Sequence, residues 1–355
     1  MNSITANNST IHFNANCYSA LNKHISENNF SKIFILVDEN THQYCLPSFL
    51  EQLETSIAIE IIEIESGEIN KTIDTCVGVW NTLSDLDADR KSLMINVGGG
   101  VITDLGGFVA CTFKRGIAYI NVPTTLLSMV DASVGGKTGV DLGHLKNQIG
   151  VIDSPDLVLI DTSFLNTLPT NQMRSGLAEM LKHGLISDVA YWNKFSDLSK
   201  LSLDDLDVLI YESVIIKRNV VTEDPREDGL RKTLNFGHTL GHAIETYFLG
   251  NENKTTLLHG EAIIIGMILA GYISSELTGF PKADRDFIKD LFISYYGKTT
   301  IENEDIKPIL ELLKYDKKNS HGNINFVLLE SIGKPKIDCI VDEQIILDAF
   351  NYYDN

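Results

Sequence analysis

Residues 93–105 read LMINVGGGVITDL: a short apolar run, three glycines, and a segment that opens a helix with Asp104. An apolar run of this length before a glycine-rich turn is typical of a buried strand in a parallel sheet. Gly98, Gly99 and Gly100 let backbone N–H groups approach a phosphate, and the beginning of the next helix favours its negative charge. The spacing is not GxGxxG, so a tight turn between strand and helix explains the glycines equally well.

Strand and helix signals alternate around this stretch. The runs 33–37 and 117–122 also read as strands, and 73–83 carries apolar residues at helical spacing. A β-α-β alternation of this kind predicts a parallel sheet covered by helices. We therefore predict an α/β fold whose parallel-sheet domain spans residues 1–161.

After about residue 161 the pattern becomes helical, and residues 162–355 are predicted to form a mainly α-helical domain. Two domains are also the natural expectation for a chain of 355 residues. Apolar residues at helical spacing lie in 177–186, 203–221, 232–248, 260–277 and 306–313. Extended segments are predicted over 324–329 and 336–341.

The composition excludes several functional classes. The formal net charge of −19 repels nucleic acid and anionic membranes, and no basic run overrides it. No apolar run approaches the roughly 18–20 residues of a membrane span, and residues 1–9 lack the features of a signal peptide. The five cysteines show no CxxC spacing, which predicts reduced thiols. We therefore expect a cytoplasmic protein.

A second glycine-rich segment lies between residues 123 and 147. Its GGKT string resembles the end of a P-loop, but Asp131 occupies the position of the first glycine, which excludes that motif. What remains is a segment that presents Lys137, Lys146 and Asn147 and is suited to binding phosphate. The alternative is a flexible surface loop.

The strongest motif is NFGHTLGH at residues 235–242. On a helix, His238 and His242 lie four residues apart and share a face. The motif is not HExxH, so the general base of a zinc protease is absent. Two histidines and a carboxylate with an open position are a common catalytic zinc set, but the spacing leaves open which histidines are ligands. The other candidates are Glu179, His183 and His259. For His183 we expect a buried, hydrogen-bonded structural role.

Several cations accompany these motifs in an otherwise acidic chain. Surface lysines are usually solvated, but their repeated placement beside the glycine-rich and histidine motifs predicts a small polyanionic substrate. The cations are Arg115, Lys137, Lys146, Lys182, Lys217, Arg231, Lys317 and Lys318.

Taken together, these strings resemble the 3-dehydroquinate synthase family of the sugar-phosphate cyclase superfamily. The matching segments follow the family's order between residues 67 and 322. They are GGGVITDLGGFVA, KRG at 114–116, VPTTLL, VDASVGGKTGVD, LKNQIG, LAEMLKHGLI, LNFGHTLGHAIE, HGEA and DKKNSHG. The chain departs from the family's pattern at 246–258, which is a few residues longer than usual, and at Leu145, where a glycine often stands.

The resemblance implies a Rossmann-like domain that binds NAD, followed by an α-helical domain that binds metal and substrate, in a homodimer. The implied NAD contacts are Asp38, Glu68, Lys71, Gly98, Gly99, Gly100, Asp104, Thr124, Thr125, Asp131, Lys137 and Lys146. The implied ligands of zinc (or cobalt) are Glu179, His238 and His259.

The resemblance also implies how the substrate is bound. Phosphate would be met by Lys137, Asn147, Asn235, His242 and Lys317, with Arg115 reaching across the dimer. Lys217 and Arg231 would bind the substrate carboxylate, and Asp131 and Lys182 would hold substrate hydroxyls. Lys317 is preferred to Lys318 as the phosphate contact.

The implied enzyme is a carbon–oxygen lyase of the shikimate pathway to aromatic amino acids. It converts 3-deoxy-D-arabino-heptulosonate 7-phosphate to 3-dehydroquinate and phosphate by transient oxidation with NAD, phosphate elimination, re-reduction and intramolecular aldol closure. Another sugar-phosphate cyclase is one alternative, although a substrate without a carboxylate would not need both Lys217 and Arg231. A metal-dependent alcohol dehydrogenase of related fold would release NADH, and an inactive NAD-binding or scaffolding protein would bind little or no metal.

Overall fold

The computed structural model describes residues 1–6, 8–143, 145–198, 203–313 and 324–355. The chain divides into two units, Met1–Met173 and Arg174–Asn355. The first unit is built on a mostly parallel sheet, and the second is mainly helical, so the predicted fold class is confirmed. The placement of the functional domain boundary at residue 161 stays a prediction.

Strands and helices alternate in the first unit. The strands are β1 Ile4–Ala6, β2 Ser9–Phe13, β3 Ile33–Asp38, β4 Ile59–Ile64, β5 Leu93–Gly98, β6 Ala118–Pro123, β7 Lys137–Leu142, β8 Leu145–Ile152 and β9 Leu157–Ile160. The helices are α1 Asn16–Glu27, α2 Glu39–Tyr44, α3 Leu46–Gln52, α4 Ile73–Asp85 and α5 Gly100–Thr112. The predicted strands 33–37, 93–97 and 117–122 and the predicted helix 73–83 are confirmed as β3, β5, β6 and α4.

The central sheet has the order β1-β2-β9-β6-β5-β3-β4, with β1 antiparallel to β2 and the remaining pairs parallel. Its central strands β3 and β5 are buried along nearly their whole length. Because both of their faces are covered, these strands read as continuous apolar runs in the sequence.

Helix α5 packs at Gly106 directly against the Asn96 side chain of the sheet. A Cβ atom on Gly106 would lie 2.0 Å from Oδ1 of Asn96, which is fully buried on β5. Asn96 donates from Nδ2 to Oδ1 of Asn121 on the neighbouring strand β6, at 2.9 Å. The close approach therefore depends on glycine at this position of the helix.

The glycine-rich segment 123–147 contains a short helical turn, Ser128–Ala132, and the first strand of a β-hairpin formed by β7 and β8. Gly139 and Gly150 face each other across this hairpin. A Cβ atom on Gly139 would lie 2.4 Å from the Ile149 carbonyl oxygen, so the two strands approach too closely for a side chain. The glycines that allow this pairing also hide it from sequence analysis, because glycine is a poor strand former.

The second unit contains helices and one hairpin in its described part, and its first helix begins at Thr170, just before the unit boundary. The helices are α6 Thr170–Ser187, α7 Val189–Asn193, α8 Leu203–Glu223, α9 His238–Leu249, α10 His259–Leu277, α11 Lys282–Tyr296, α12 Asn303–Leu312 and α13 Glu343–Asp354. The antiparallel strands are β10 Asn325–Ser331 and β11 Lys334–Ile340, which confirms the two predicted extended segments.

The helix predicted over 232–248 is wrong in its first part. Residues Leu230–Asn235 form a 3₁₀ turn, and α9 begins only at His238. Gly237, between them, has φ of +78°, a left-handed conformation that breaks the helix and that glycine adopts at little cost. The break lies inside the NFGHTLGH motif and turns the chain immediately before His238.

Helix α10 is the core helix of the second unit. It is long and apolar enough to cross a membrane by composition, but 72% of its most apolar window is buried inside the protein. Its apolar character is therefore explained by packing against neighbouring helices and strand β10.

Candidate active site

The glycine turn lies at the carboxyl ends of the central strands. β5 ends at Gly98, in register with Pro123 of β6, and α5 begins at Gly100. A Cβ atom on Gly98 would lie 2.5 Å from the Ile102 side chain, and one on Gly99 would lie 3.1 Å from a Thr125 methyl group. This edge of a parallel sheet, next to a helix N-terminus, is where dinucleotides bind in such folds.

Two predicted NAD contacts, at the ends of the strands on either side of β5, already have local hydrogen bonds. Asp38 ends β3 and accepts through Oδ1 from the Thr41 backbone N–H at 2.8 Å, which caps α2. Thr124 follows β6 and donates its backbone N–H to the Gly98 carbonyl at 3.0 Å. Both residues are thereby fixed beside the glycine turn.

Lys71 is at the centre of a buried polar cluster. Its Nζ atom donates to Oδ2 of Asp104 at 2.6 Å and to Oδ1 of Asn147 at 2.8 Å. Burial alone would lower the pKa of Lys71, but Asp104 and Glu68 raise the pKa well above its ordinary value, so the ammonium stays charged. Glu68 also pairs with Lys146 at 3.1 Å. The structure thus brings five of the predicted site residues together.

Asp141 belongs to the same cluster, although the sequence analysis did not single it out. It accepts through Oδ1 from the Asn147 backbone N–H at 2.6 Å, and its own N–H donates to the Lys71 carbonyl at 2.9 Å. Asn147 has φ of +50°, so the Asp141 carboxylate stabilises a left-handed turn. The spacing along the hairpin gave no indication of this contact.

Other predicted residues of the first unit lie in turns or at the beginning of a strand. Asp131 is in the helical turn Ser128–Ala132, and Lys137 is the exposed first residue of β7. Arg115 is exposed and has φ of +72°, between two further left-handed residues at 114 and 116. Thr125 shares a hydrogen bond of 2.9 Å with the Ser128 hydroxyl.

In the second unit, one carboxylate and two histidines converge. Oε1 of Glu179 on α6 lies 3.5 Å from Nε2 of His238 on α9 and 3.4 Å from Nε2 of His259 on α10. Two ligand atoms of a tetrahedral zinc, each about 2.0–2.1 Å from the ion, lie about 3.3–3.4 Å apart. Both distances from Glu179 therefore match the spacing of two ligands around one divalent metal ion, and the donor types suit zinc or cobalt.

The environment of His259 favours positive charge. Burial opposes the charged ring, but Glu245 and Glu179 raise the pKa of His259 to about 10. The Glu179 carboxylate also pairs through Oε2 with Nζ of Lys182 one turn along α6, and both side chains are almost completely buried. A divalent cation would fit the same negative potential.

His242 lies beside this set. Its ring centroid is 5.0 Å from that of His238 and 5.7 Å from that of His259, and a ring nitrogen from each of the three lies within 4.8 Å of the others. His242 is close enough either to approach the metal or to contact a group bound next to it. Its assignment to phosphate stays a prediction.

His183 matches the structural expectation. The ring is fully buried, and Nδ1 lies 2.7 Å from the Ser213 hydroxyl on α8. A ring nitrogen of His183 also lies within 4.8 Å of a carboxylate oxygen of Glu179, so the exclusion of His183 from the metal ligands stays a prediction.

The two cations predicted to bind a carboxylate are both buried in the second unit. Lys217 on α8 is 6% exposed and Arg231 in the 3₁₀ turn is 3% exposed. Arg231 donates through Nη1 to the Pro225 carbonyl at 2.8 Å. Asn235 donates through Nδ2 to Oε1 of Glu227 at 2.6 Å, and Glu227 is a second contact that the sequence analysis did not identify. Lys317 and Lys318 lie outside the described residues.

Comparison with known proteins identifies the family of the chain. Residues 61–175 match the family profile "3-dehydroquinate synthase N-terminal", and residues 176–319 match "3-dehydroquinate synthase C-terminal". The 3-dehydroquinate synthase of Parabacteroides distasonis is 40% identical over 94% of this chain and 95% of its own length. That of Clostridium botulinum is 44% identical over 85% of this chain and 86% of its own length.

A solved structure is similar over nearly the whole chain. It is a 2-deoxy-scyllo-inosose synthase complexed with carbaglucose-6-phosphate, NAD⁺ and Co²⁺. Its TM-score is 0.86 at 25% identity, with 99% of each chain covered. The family profiles together span more than two thirds of the sequence and the curated relatives exceed 30% identity, so the chain belongs to the 3-dehydroquinate synthase family.

Proposed function

We propose that this enzyme converts 3-deoxy-D-arabino-heptulosonate 7-phosphate to 3-dehydroquinate and inorganic phosphate. The observation that carries the proposal is the convergence of Glu179, His238 and His259 at metal-ligand spacing in a chain of this family. The wide coverage of the curated relatives supports the same activity.

Glu179, His238 and His259 would hold zinc or cobalt in the second unit. When bound, the metal supplies Lewis acidity, and NAD supplies a hydride acceptor that is regenerated in each turnover. The carboxylate of Glu179 already pairs with Lys182, so an anionic ligand and a cation able to hold a substrate hydroxyl lie side by side. The donor spacing supports this assignment independently of the substrate.

NAD would bind to the first unit at the Gly98–Gly100 turn. The backbone there can approach a pyrophosphate because no side chain projects from the three glycines. The remaining proposed contacts are Asp38, Glu68, Lys71, Asp104, Thr124, Thr125, Asp131, Lys137 and Lys146. The buried Lys71–Asp104 pair would keep this face of α5 fixed while the cofactor binds.

The substrate carries two anionic groups, and the chain offers a separate set of residues for each. Lys217 and Arg231 are buried cations of the kind that bind a carboxylate with little competition from water. The phosphate would be neutralised as it leaves by Lys137, Asn147, Asn235, His242 and Lys317, with Arg115 contributed by a second subunit. Asp131 would hold a substrate hydroxyl.

A homodimer in the cytoplasm is the assembly and compartment that we propose. The exposed Arg115 in its left-handed turn supports a contact with a partner, because a strained backbone is retained where the side chain must be held in one direction. The net charge of −19 is compatible with a small anionic substrate only if the cations are concentrated at the site.

The test is phosphate release from the heptulosonate phosphate by purified protein supplied with NAD and zinc, with and without a chelator. We expect chelator-sensitive release of phosphate, a cyclic dehydroquinate product and no net NADH. No release with both cofactors present would refute the proposal. Sustained NADH formation from simple alcohols would assign the protein to the alcohol dehydrogenases instead.

Variants of neighbouring residues test the carboxylate site. Arg231→Met should lower kcat/KM by about 30-fold or more, because losing one partner of a buried charge pair costs about 2–5 kcal/mol. Lys232→Met is the matched control, since Lys232 pairs with Asp338 on the surface. Equal activity of the two variants on the heptulosonate phosphate would show that Arg231 does not bind the substrate carboxylate.

A further inference from the structure

Glu245 is a buried carboxylate that the proposed reaction does not use. It lies on α9, seven residues after His238, and its side chain is 6% exposed. Its Oε2 atom lies 3.2 Å from Nδ1 of His259 on the neighbouring helix α10. Positions seven apart share a helix face, so α9 presents both a metal ligand and the partner of a second ligand.

Carboxylates engage His259 through both of its ring nitrogens. Nδ1 faces Glu245, while Nε2 lies 3.4 Å from Oε1 of Glu179 on the side where the metal would bind. A carboxylate only accepts hydrogen bonds, so the contact with Glu245 requires a proton on Nδ1. With the proton fixed there, the lone pair of the neutral ring is on Nε2 and points toward the other metal ligands.

The two proposed histidine ligands differ in the hydrogen-bond acceptor that Nδ1 of each ring contacts. Nδ1 of His238 lies 3.2 Å from the Phe236 carbonyl oxygen, which is a neutral acceptor. Nδ1 of His259 faces the charged Glu245 instead. A charged acceptor makes the imidazole a stronger electron donor than a neutral one does, so His259 should bind the metal more tightly than His238.

A divalent cation at the site would also account for the burial of Glu245. An ionised carboxylate removed from water is costly unless it is paired. A divalent ion bound to Nε2, on the opposite side of the His259 ring from Glu245, would reduce the cost of burying the charged carboxylate. Lys182 offsets the charge of the other carboxylate, Glu179, through a direct contact.

From this geometry we infer that Glu245 is a positioning residue, which fixes the tautomer and orientation of His259 and strengthens the binding of a divalent metal ion. The inference rests on the metal site of the proposed function but not on the identity of the substrate. Glu245 itself touches neither metal nor substrate in this assignment.

The test measures metal affinity in the absence of substrate. Chelator-treated full-length protein would be titrated with Co²⁺, whose absorption spectrum reports the coordination geometry, and with Zn²⁺ in competition with a chromophoric chelator. Glu245→Ala should weaken the affinity by about 10–100-fold, the usual effect of removing such a partner. Glu245→Gln keeps the size and an acceptor oxygen but not the charge, so its loss should be smaller, and its cobalt spectrum should remain close to that of the parent protein.

Glu261→Gln is the matched control. Glu261 is two residues after His259 on α10, but its carboxylate accepts from the Leu258 backbone N–H at 2.9 Å. We expect its metal affinity to remain at the parent value, although thermal stability falls slightly. A comparable loss of affinity in Glu261→Gln and Glu245→Gln would overturn the inference, because any nearby carboxylate would then have the same effect.

Circular dichroism and Tm show whether each variant is folded, so a loss of metal affinity can be distinguished from a loss of folding. If Glu245→Ala does not fold, Glu245→Gln decides: a several-fold loss of affinity supports the inference, and an unchanged affinity refutes it. If the parent protein binds neither ion, the proposed metal site itself fails. If the parent protein binds metal and Glu245→Ala binds it with the same affinity, only the role of Glu245 is refuted.

Discussion

Gly260→Ala tests whether close helix packing sets the geometry of the metal site. Gly260 follows His259 on α10 and lies against Ser175 on α6, where its N–H donates to the Ser175 hydroxyl at 2.9 Å. A Cβ atom on Gly260 would lie 2.2 Å from the Ser175 carbonyl oxygen and 2.5 Å from its Cα, whereas real Cβ atoms essentially never approach closer than 3.0 Å. Both contacts are with backbone, so no side chain can rotate away.

The magnitude follows from that overlap. The two helices must separate locally by about 0.8 Å or more, and overpacking of this kind typically costs about 1–3 kcal/mol. Glu179 is one turn along α6 from Ser175, and its Oε1 atom is now 3.4 Å from Nε2 of His259. The same separation would carry these atoms well beyond the spacing for one zinc, whose bond lengths vary by only about 0.2 Å.

We therefore expect Gly260→Ala to lower the metal affinity by more than about 100-fold. This exceeds the usual effect of removing a hydrogen-bond partner of a metal ligand, because here the ligand itself is displaced. Cobalt titration and calorimetric Tm measure the two effects separately. Gly271→Ala is the control on the same helix: its Cβ would meet only Cγ of Arg285, at 4.0 Å, and the change should stabilise by up to about 1 kcal/mol. If Gly260→Ala keeps both the Tm and the affinity of the parent protein, helix packing does not set the ligand spacing.

Three further changes test the packing and charges elsewhere in the fold. Lys71→Met should destabilise the protein by about 3–5 kcal/mol in urea unfolding, because Asp104 loses its buried cation, and adding Asp104→Leu should recover most of the loss. Burial opposes ionisation of Asp305, but Lys254 and hydrogen bonds hold its pKa below the ordinary 3.8, so the stabilisation is present above pH 3.8 and is lost as pH falls through the lower, folded-state pKa. Asp305→Asn should therefore flatten the dependence of Tm on pH in the acid range, and an unchanged slope would contradict this. Gly237→Ala should cost at least about 1–2 kcal/mol in urea unfolding, since φ is +78° and the new Cβ would lie 2.9 Å from a backbone nitrogen of α10.

The sequence predicts the buried parts of the sheet better than its edges. β3 and β5 are covered on both faces, so their apolar runs are continuous and easily recognised. β4 is an edge strand in which the side chains of Ile59 and Ile61 are 36% and 42% exposed. Of the isoleucines in this strand, Ile62 is the buried one. An edge strand has neighbours on one side only, so its pattern is less constrained by burial and less diagnostic.

The site residues could be predicted where several of them lie on one helix. His238 and His242 share a face of α9 because of their spacing, and the structure brings both together with His259. Asp141 and Glu227 could not be identified in this way, since their contacts are made across turns that include left-handed residues. Glu245 did leave a signal, because it is on the same helix face as His238, but only the packing of α10 reveals its partner.

The contact between Gly106 and Asn96 constrains how this sequence can change over time. A larger residue at position 106 would meet the buried amide of Asn96 at 2.0 Å, so it can be accepted only after position 96 has become smaller. Shortening Asn96 first would remove the hydrogen bond donated to Asn121 and leave a buried amide acceptor behind. Any evolutionary path away from this arrangement therefore passes through a less stable intermediate, and we expect the three positions to vary together among relatives rather than singly.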